Sequence, residues 1–250
     1  MARVRTAFNT ATVVGRGRSR HLEVEGATYA SYNPVRRFWG YAWDALAAAP
    51  LYHPLAANQG AGLRVLLIGL GGGTVLHALR LMLPRVELTA AEIDPALVDI
   101  TRDHFALADT GARVVVGDGY AHVEAARGSY DVILDDAFLA AGEASRTAEI
   151  NDELVRRLRA GLRAGGMVAC NVFTDSAHAR LRTTARALFA REFPTTVELI
   201  PALGHNAILC GLARARPLAA VSGHMRALPP QAARAMARVR AMIGGSWPAA

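Results

Sequence analysis

Four carboxylates sit just past short apolar runs: Glu92 after 86–91, Asp118 after 114–116, and Asp135 with Asp136 after 132–134. A further run, 65–68, opens directly into Gly69-Leu70-Gly71-Gly72-Gly73-Thr74. Each run is short, β-branched and largely uninterrupted, as a parallel strand buried on both faces should be. Ligands of open α/β sheets bind outside the carboxyl ends of such strands. A glycine loop there lets backbone approach a ligand with no Cβ intervening, and it tolerates the positive φ of a tight turn. Carboxylates at neighbouring strand ends accept hydrogen bonds from hydroxyl and amino groups. The pattern predicts a nucleoside-binding cleft.

The spacing Gly69-x-Gly71-x-x-Thr74 falls one residue short of the dinucleotide fingerprint, which has a third glycine where this chain has Thr74. Glu92 lies where a dinucleotide enzyme holds its ribose hydroxyls. Loop and acid together fit either a dinucleotide or S-adenosylmethionine. The later carboxylates favour the second, because a pyrophosphate is anionic whereas a sulfonium is cationic and its adenine carries an amino donor.

The segments 65–74, Ala91-Glu92-Ile93-Asp94-Pro95, Val116-Gly117-Asp118-Gly119 and Tyr130-Asp131-Val132-Ile133-Leu134-Asp135-Asp136 resemble, in order and spacing, the motifs of the spermidine synthase (polyamine aminopropyltransferase) family. The resemblance covers residues 60–175, with weaker similarity around 22–26 and 44–51. It implies that Gly69, Gly71, Gly72, Gly73, Glu92, Ile93, Asp118 and Gly119 bind the cofactor, S-adenosylmethionine or its decarboxylated form. Glu92 would hold the ribose hydroxyls, Ile93 would pack on adenine and Asp118 would accept from the adenine amino group. Asp136 would be the catalytic acid facing the reacting nucleophile. The family also implies a homodimer assembled partly through its N-terminal β region.

The departures bear on the reaction. The family's loop aspartate, which pairs with the amine of the decarboxylated cofactor, is matched by Gly72. Its second acid, three residues after the catalytic one, is matched by Leu139. Asn33-Pro34-Val35-Arg36-Arg37 stands where acidic residues are usual. A dicationic acceptor loses several charge-assisted contacts in such a pocket, each worth about 1.5–3 kcal/mol. Three readings follow: a transferase that alkylates a small-molecule nucleophile, most simply by methylation; a polyamine aminopropyltransferase with a rebuilt amine pocket; or a non-catalytic cofactor-binding module.

Composition narrows the class. The chain has 250 residues, is 52% hydrophobic and 20% charged, and carries a net charge of +7 with arginine as its sole cationic side chain besides histidine. No apolar run reaches the length of a membrane span, and the basic N-terminus is not followed by the apolar stretch of a secretory signal. A cytoplasmic protein without membrane contact is expected. The arginines are spread along the chain beside acids, with no aromatic-interleaved basic stripe, so solvated helix faces are expected rather than nucleic-acid binding. A local cluster, Arg16, Arg18 and Arg20, could still meet an anionic substrate or a partner subunit. Eight histidines show no metal-ligand spacing, so no metal site is expected. Cys170 and Cys210 fall in predicted strands and read as buried thiols.

The elements that position these residues follow from turn and cap signals. The expected fold is α/β: a doubly wound, Rossmann-like, mostly parallel seven-stranded sheet of the S-adenosylmethionine-dependent methyltransferase type, with a small N-terminal β-hairpin segment. Residues 1–50 should form the hairpins and an opening helix, 51–215 the nucleoside-binding domain and 216–250 a C-terminal helical tail. Asn33-Pro34 predicts a helix running to about Ala48 that carries Phe38, Trp39, Tyr41 and Trp43. Further helices are expected over 74–83, 95–105, 120–126, 149–162, 176–189 and 231–242, with a polar segment up to 148. A strand is expected over 167–173 and an antiparallel pair at 197–201 and 207–212.

Overall fold

The run at 65–68 becomes the central strand of the parallel part of the main sheet, and the rest of the architecture follows from its burial on both faces. The computed structural model describes residues 2–6, 8, 10–24, 26–141, 143–146, 149–214 and 219–243, with 2, 139–141, 143–146, 219, 220 and 222 as backbone alone. Leu139 is among the latter, and residues 216–218 and 244–250 of the expected tail lie outside the described residues. The N-terminal strands are β1 (Ala2–Arg5), β2 (Thr10–Arg16), β3 (Ser19–Val24) and β4 (Ala27–Tyr32). There follow α1 (Ala42–Ala48), β5 (Arg64–Ile68), α2 (Thr74–Met82), β6 (Glu87–Glu92), α3 (Pro95–His104), β7 (Arg113–Val116), α4 (Gly119–Ala125) and β8 (Tyr130–Asp135). The C-terminal part comprises β9 (Phe138–Ala141), β10 (Glu143–Arg146), α5 (Asp152–Gly161), β11 (Leu162–Phe173), α6 (Ala179–Glu192), β12 (Thr195–Ile200), β13 (Asn206–Leu212), α7 (Ala219–Arg226), α8 (Pro230–Met236) and β14 (Arg240–Ile243).

The main sheet has the order β14-β12-β13-β11-β8-β5-β6-β7. Strands β11, β8, β5, β6 and β7 are parallel. Strand β13 lies antiparallel between β11 and β12, and β14 pairs antiparallel with β12. This is the doubly wound, mostly parallel α/β fold. From β5 the chain winds outward through β6 and β7, then returns to β8 on the other side, so strand order reverses between β5 and β8. That switch point opens the ligand crevice.

Successive side chains of a strand point to opposite faces, and β5 divides accordingly. Val65 and Leu67 pack with Leu46, Leu76, Leu79 and Met236 on one face. Leu66 and Ile68 pack with Val123, Leu158 and Phe189 on the other. A third core joins Leu22, Val24 and Ala30 of the N-terminal sheet to Ile100 and Phe105 beside α3. The expected hairpins are thus part of a four-stranded antiparallel sheet that lies over the start of the nucleotide fold.

Two helices differ from expectation. The one predicted from Asn33 begins at Ala42, because side chains take the backbone donors of the intervening residues. Asn33 Oδ1 accepts the amides of Val35 and Arg36 at 2.9 and 3.0 Å. Gln231 Oε1 accepts the Arg37 amide at 2.8 Å, and the Asp44 carboxylate accepts those of Trp39 and Gly40. Gly40 has φ +89°, outside helical backbone. The helix expected over 231–242 stops at Met236, and Arg240–Ile243 turns into an edge strand on β12, the eighth of the sheet. Gly165 and Gly166 lie within β11, where its pairing with β8 shifts register. Within the segment read as polar, β9 and β10 pair antiparallel.

Both cysteines are buried thiols, as expected. Several arginines meet acids. Arg182 Nε donates to Glu198 at 2.9 Å, Arg186 also pairs with that buried carboxylate, and Arg157 lies 2.8 Å from Glu124. Among the described residues no helix is long and apolar enough to cross a membrane.

Candidate active site

Three backbone hydrogen bonds fix the strand ends around the crevice. Gly69 donates to the Ala91 carbonyl at 2.9 Å, Asp136 to that of Ile68 at 2.9 Å, and Gly117 to that of Glu92 at 2.8 Å. Gly69 has φ +87°, and a Cβ there would lie 2.6 Å from the Asp136 carbonyl oxygen. Only glycine lets the loop leave β5 this close to the neighbouring strand end.

Glu92 is buried beneath the loop it was expected to face. Its Oε2 accepts the amides of Leu70 and Gly71 at 3.0 and 3.3 Å, and its Oε1 accepts that of Asp94 at 3.1 Å. Burial pushes its carboxyl above the usual range, against the opposing pull of these amides. The side chain therefore shapes the glycine loop and also borders the cavity beside it.

The glycines divide. Gly69 and Gly71 line the cavity; Gly72 and Gly73 are absent from its wall. A Cβ on Gly72 would meet the Ala30 Cβ at 2.6 Å and the Phe105 ring at 3.1 Å. Strand β4 fills the space that a carboxylate at this position needs. Thr74 tightens the same junction, since its hydroxyl accepts the Ser31 amide and donates to the Ser31 carbonyl, each at 2.9 Å. Thr101 adds a hydroxyl donated to the Gly71 carbonyl at 2.6 Å.

On the β6–β7 side, Ile93 is 43% exposed at the cavity wall, an apolar surface of the kind an adenine ring can cover. Asp118 lines the same wall and caps α4, its Oδ1 accepting the amides of Tyr120 and Ala121 at 2.8 and 3.4 Å. A Cβ on Gly119 would strike Ile68 Cγ2 at 2.5 Å, so glycine there brings α4 against β5. These residues fit a nucleoside: an acid below the loop, an apolar ledge and a capping acid whose Oδ2 stays unengaged among the described residues.

The two acids after β8 separate as neighbours on a strand should. Asp135 is fully buried and accepts the Tyr120 hydroxyl at 3.1 Å, with Cys170 Sγ at 3.8 Å. Its Oδ1 also accepts the Ala137 amide at 3.4 Å. Asp136 faces the cavity, and Asn171 Nδ2 donates to its Oδ1 at 2.7 Å. Asn206 Nδ2 donates in turn to Asn171 Oδ1 at 3.0 Å. Residues from β8, β11 and β13 thus form one line of amides ending on a carboxylate.

The cavity encloses about 1040 Å³ between the nucleotide fold, the N-terminal sheet and the 36–43 segment. Of the aromatics in the segment expected as the opening helix, Trp39, Tyr41 and Trp43 line it, as do Arg16 of the basic cluster and Asn206. Thr74, Asn171 and His21 carried no local signal. Their partners lie 10 to 43 residues away in sequence.

Comparison with known proteins places this geometry in a family. Residues 51–221 match the spermine/spermidine synthase domain. A polyamine aminopropyltransferase from Vibrio vulnificus is 32% identical over 137 residues, 50% of this chain and 45% of that protein. An eEF1A lysine and N-terminal methyltransferase homolog from Drosophila pseudoobscura pseudoobscura is 41% identical over 76 residues, 29% of this chain and 11% of that protein. The chain therefore spans less than half the length of these curated relatives. The crystal structure of a probable spermidine synthase from Corynebacterium glutamicum superposes with a TM-score of 0.76 at 15% identity, covering 97% of this chain and 90% of that one. With its domain match extending from just after α1 into α7, the chain belongs to the spermine/spermidine synthase family.

Proposed function

We propose that the protein is an S-adenosylmethionine-dependent transferase that alkylates a small-molecule nucleophile, most simply by methyl transfer. The observation that carries the choice of methyl over aminopropyl is the packing of Gly72 against Ala30 and Phe105. It removes the loop carboxylate that would pair with the amine of a decarboxylated cofactor, together with the space to replace it. Glu92 and Asp118 hold the nucleoside, Ile93 supports the adenine, and Gly69 and Gly71 keep the loop close enough for backbone contact.

The bound cofactor supplies an electrophilic carbon next to a sulfonium. The chain contributes proximity and alignment. Asp136, steadied by Asn171, accepts the proton of the nucleophile as the new bond to carbon forms and the carbon–sulfur bond breaks. A homodimer joined through the N-terminal sheet belongs to this reading, and light scattering at micromolar concentration tests it.

The aminopropyl reading keeps the support of the Vibrio relative's name. Calorimetry with S-adenosylmethionine, S-adenosylhomocysteine and the decarboxylated cofactor separates the two. Intact forms should bind at least as tightly. A strong preference for the decarboxylated form would overturn methyl transfer.

A further inference from the structure

The cavity wall brings together Arg36, Trp39 and His21. Trp39 lines the cavity, is 8% exposed, and has a buried indole N–H without a hydrogen-bond partner among the described residues. Leaving a buried donor without an acceptor is costly, so such a group points to something that completes it. The Arg36 guanidinium lies 4.6 Å from the centre of the Trp39 ring. Its Nε donates to the Phe38 carbonyl at 2.9 Å, while its terminal nitrogens have no acceptor among the described residues. His21 meets the Trp39 ring edge-on at 5.5 Å and bonds Ser31 Oγ at 2.9 Å.

The acids nearby are already engaged. Glu23 pairs with Arg16 at 3.6 Å. Both oxygens of Asp44 accept the backbone amides of Trp39 and Gly40. Burial, with Arg16 and Arg36 adding to it, holds His21 below its ordinary value despite Glu23. In formal charge Arg16 and Arg36 balance Glu23 and Asp44 here, and it is the Arg36 terminal nitrogens, left without an acceptor among the described residues, that remain to meet an anion.

We propose that Arg36, the indole N–H of Trp39 and His21 form a carboxylate-binding subsite within the acceptor side of the cavity. A guanidinium and an indole N–H offer donors to a carboxylate, and the aromatic wall accommodates the apolar or planar body carrying it. Two molecules can bring that group: an acceptor acid, or the amino-acid tail of an intact cofactor. The subsite rests on the reading of the cavity as a transferase site, and it replaces the polyamine expected for the family with an anionic ligand.

The test uses the full chain and two matched pairs of probes, benzoate with benzamide and S-adenosylhomocysteine with 5′-methylthioadenosine. Binding is measured for the wild type, Arg36→Gln and Trp39→Phe. The wild type should favour the carboxylate member of at least one pair by about tenfold, and both substitutions should erase most of that preference. Preference in the benzoate pair assigns the subsite to the acceptor; preference in the nucleoside pair assigns it to the cofactor tail. Where benzoate binds, the His21 titration followed by NMR should move upward. If the wild type discriminates in neither pair, or if both variants keep the wild-type preference, the subsite is overturned. Should Trp39→Phe unfold, the exposed Arg36→Gln decides alone. If neither nucleoside binds, the transferase reading fails, and the benzoate pair still judges the subsite.

Discussion

Thr74 Oγ1 and the backbone of Ser31 exchange two hydrogen bonds, amide to hydroxyl and hydroxyl to carbonyl, each 2.9 Å long. One side chain at the start of α2 thereby acts as a strand partner for β4, and it fastens the N-terminal sheet to the glycine loop. Thr74→Val keeps the shape and leaves two buried backbone groups unsatisfied. It should lower unfolding stability by about 1–3 kcal/mol. Urea unfolding of the variant checks this, and an unchanged midpoint would show that the pair adds nothing.

Restoring the family's loop acid should fail structurally. A Cβ on Gly72 lies 2.6 Å from the Ala30 Cβ before any carboxylate is added. Gly72→Asp should therefore destabilise the protein by about 1–3 kcal/mol, as overpacking does, without creating aminopropyl transfer. Pairing it with Ala30→Gly should recover part of the loss. A Gly72→Asp protein of wild-type stability would refute the packing argument.

Removing the charge at Glu92 should affect both loop and ligand, because three amides converge on its carboxylate. Glu92→Ala should weaken binding of S-adenosylhomocysteine by about 1.5–3 kcal/mol and increase hydrogen exchange at Leu70 and Gly71. Asp118→Ala should weaken binding similarly and also cost about 1 kcal/mol of stability as a lost helix cap. Calorimetry and exchange measured together separate the two effects; unaltered affinity in both variants would remove these acids from the nucleoside site.

Asp136→Asn should reduce turnover about 10²-fold or more, the range for loss of a general base, with little change in cofactor affinity. Asn171→Ala leaves the carboxylate in place but frees it from its 2.7 Å donor. Its effect should be smaller and visible as a shift in the pH–rate profile. Asp135→Asn should act on stability more than on rate, since Asp135 is fully buried against Tyr120. Full activity of the Asp136 variant on an identified acceptor would exclude the assigned role.

His77 provides the pH prediction. Its Nε2 lies 2.7 Å from the Phe105 carbonyl, which can only accept, and its Nδ1 lies 3.4 Å from Arg37, which can only donate. These partners specify the neutral Nε2–H tautomer. Burial, chiefly, and then the Arg37 charge hold its pKa below the ordinary 6.5, against the Phe105 hydrogen bond and Asp109. A folded value below the unfolded one means the contribution is fully present above pH 6.5 and is lost as pH falls through the folded value. Melting temperatures across that interval should drop more steeply for wild type than for His77→Gln. Parallel curves would contradict the assignment.

The strands and their ends were legible in the sequence because they depend on neighbours within a few residues. Uninterrupted β-branched runs form buried parallel strands, Asp94 and Asp118 cap the helices that follow, and glycine is needed where the loop passes close to β8. Adjacent acids on one strand also had to face opposite ways, which separated Asp135 from Asp136. The pairings that complete the site join residues far apart in the chain: Ala30 with Gly72, Ser31 with Thr74, Asp136 with Asn171, Gln231 with Arg37. Local pattern carries no information about such contacts. That is also why the hold of Gln231 on the Arg37 amide was not visible in the 33–41 segment, and why Arg240–Ile243 read as helix, although its strand exists only because β12 offers an open edge. Residue chemistry and short-range sterics determine the strand ends and the glycine turn beside the cavity. Long-range packing alone decides which charged side chains line it.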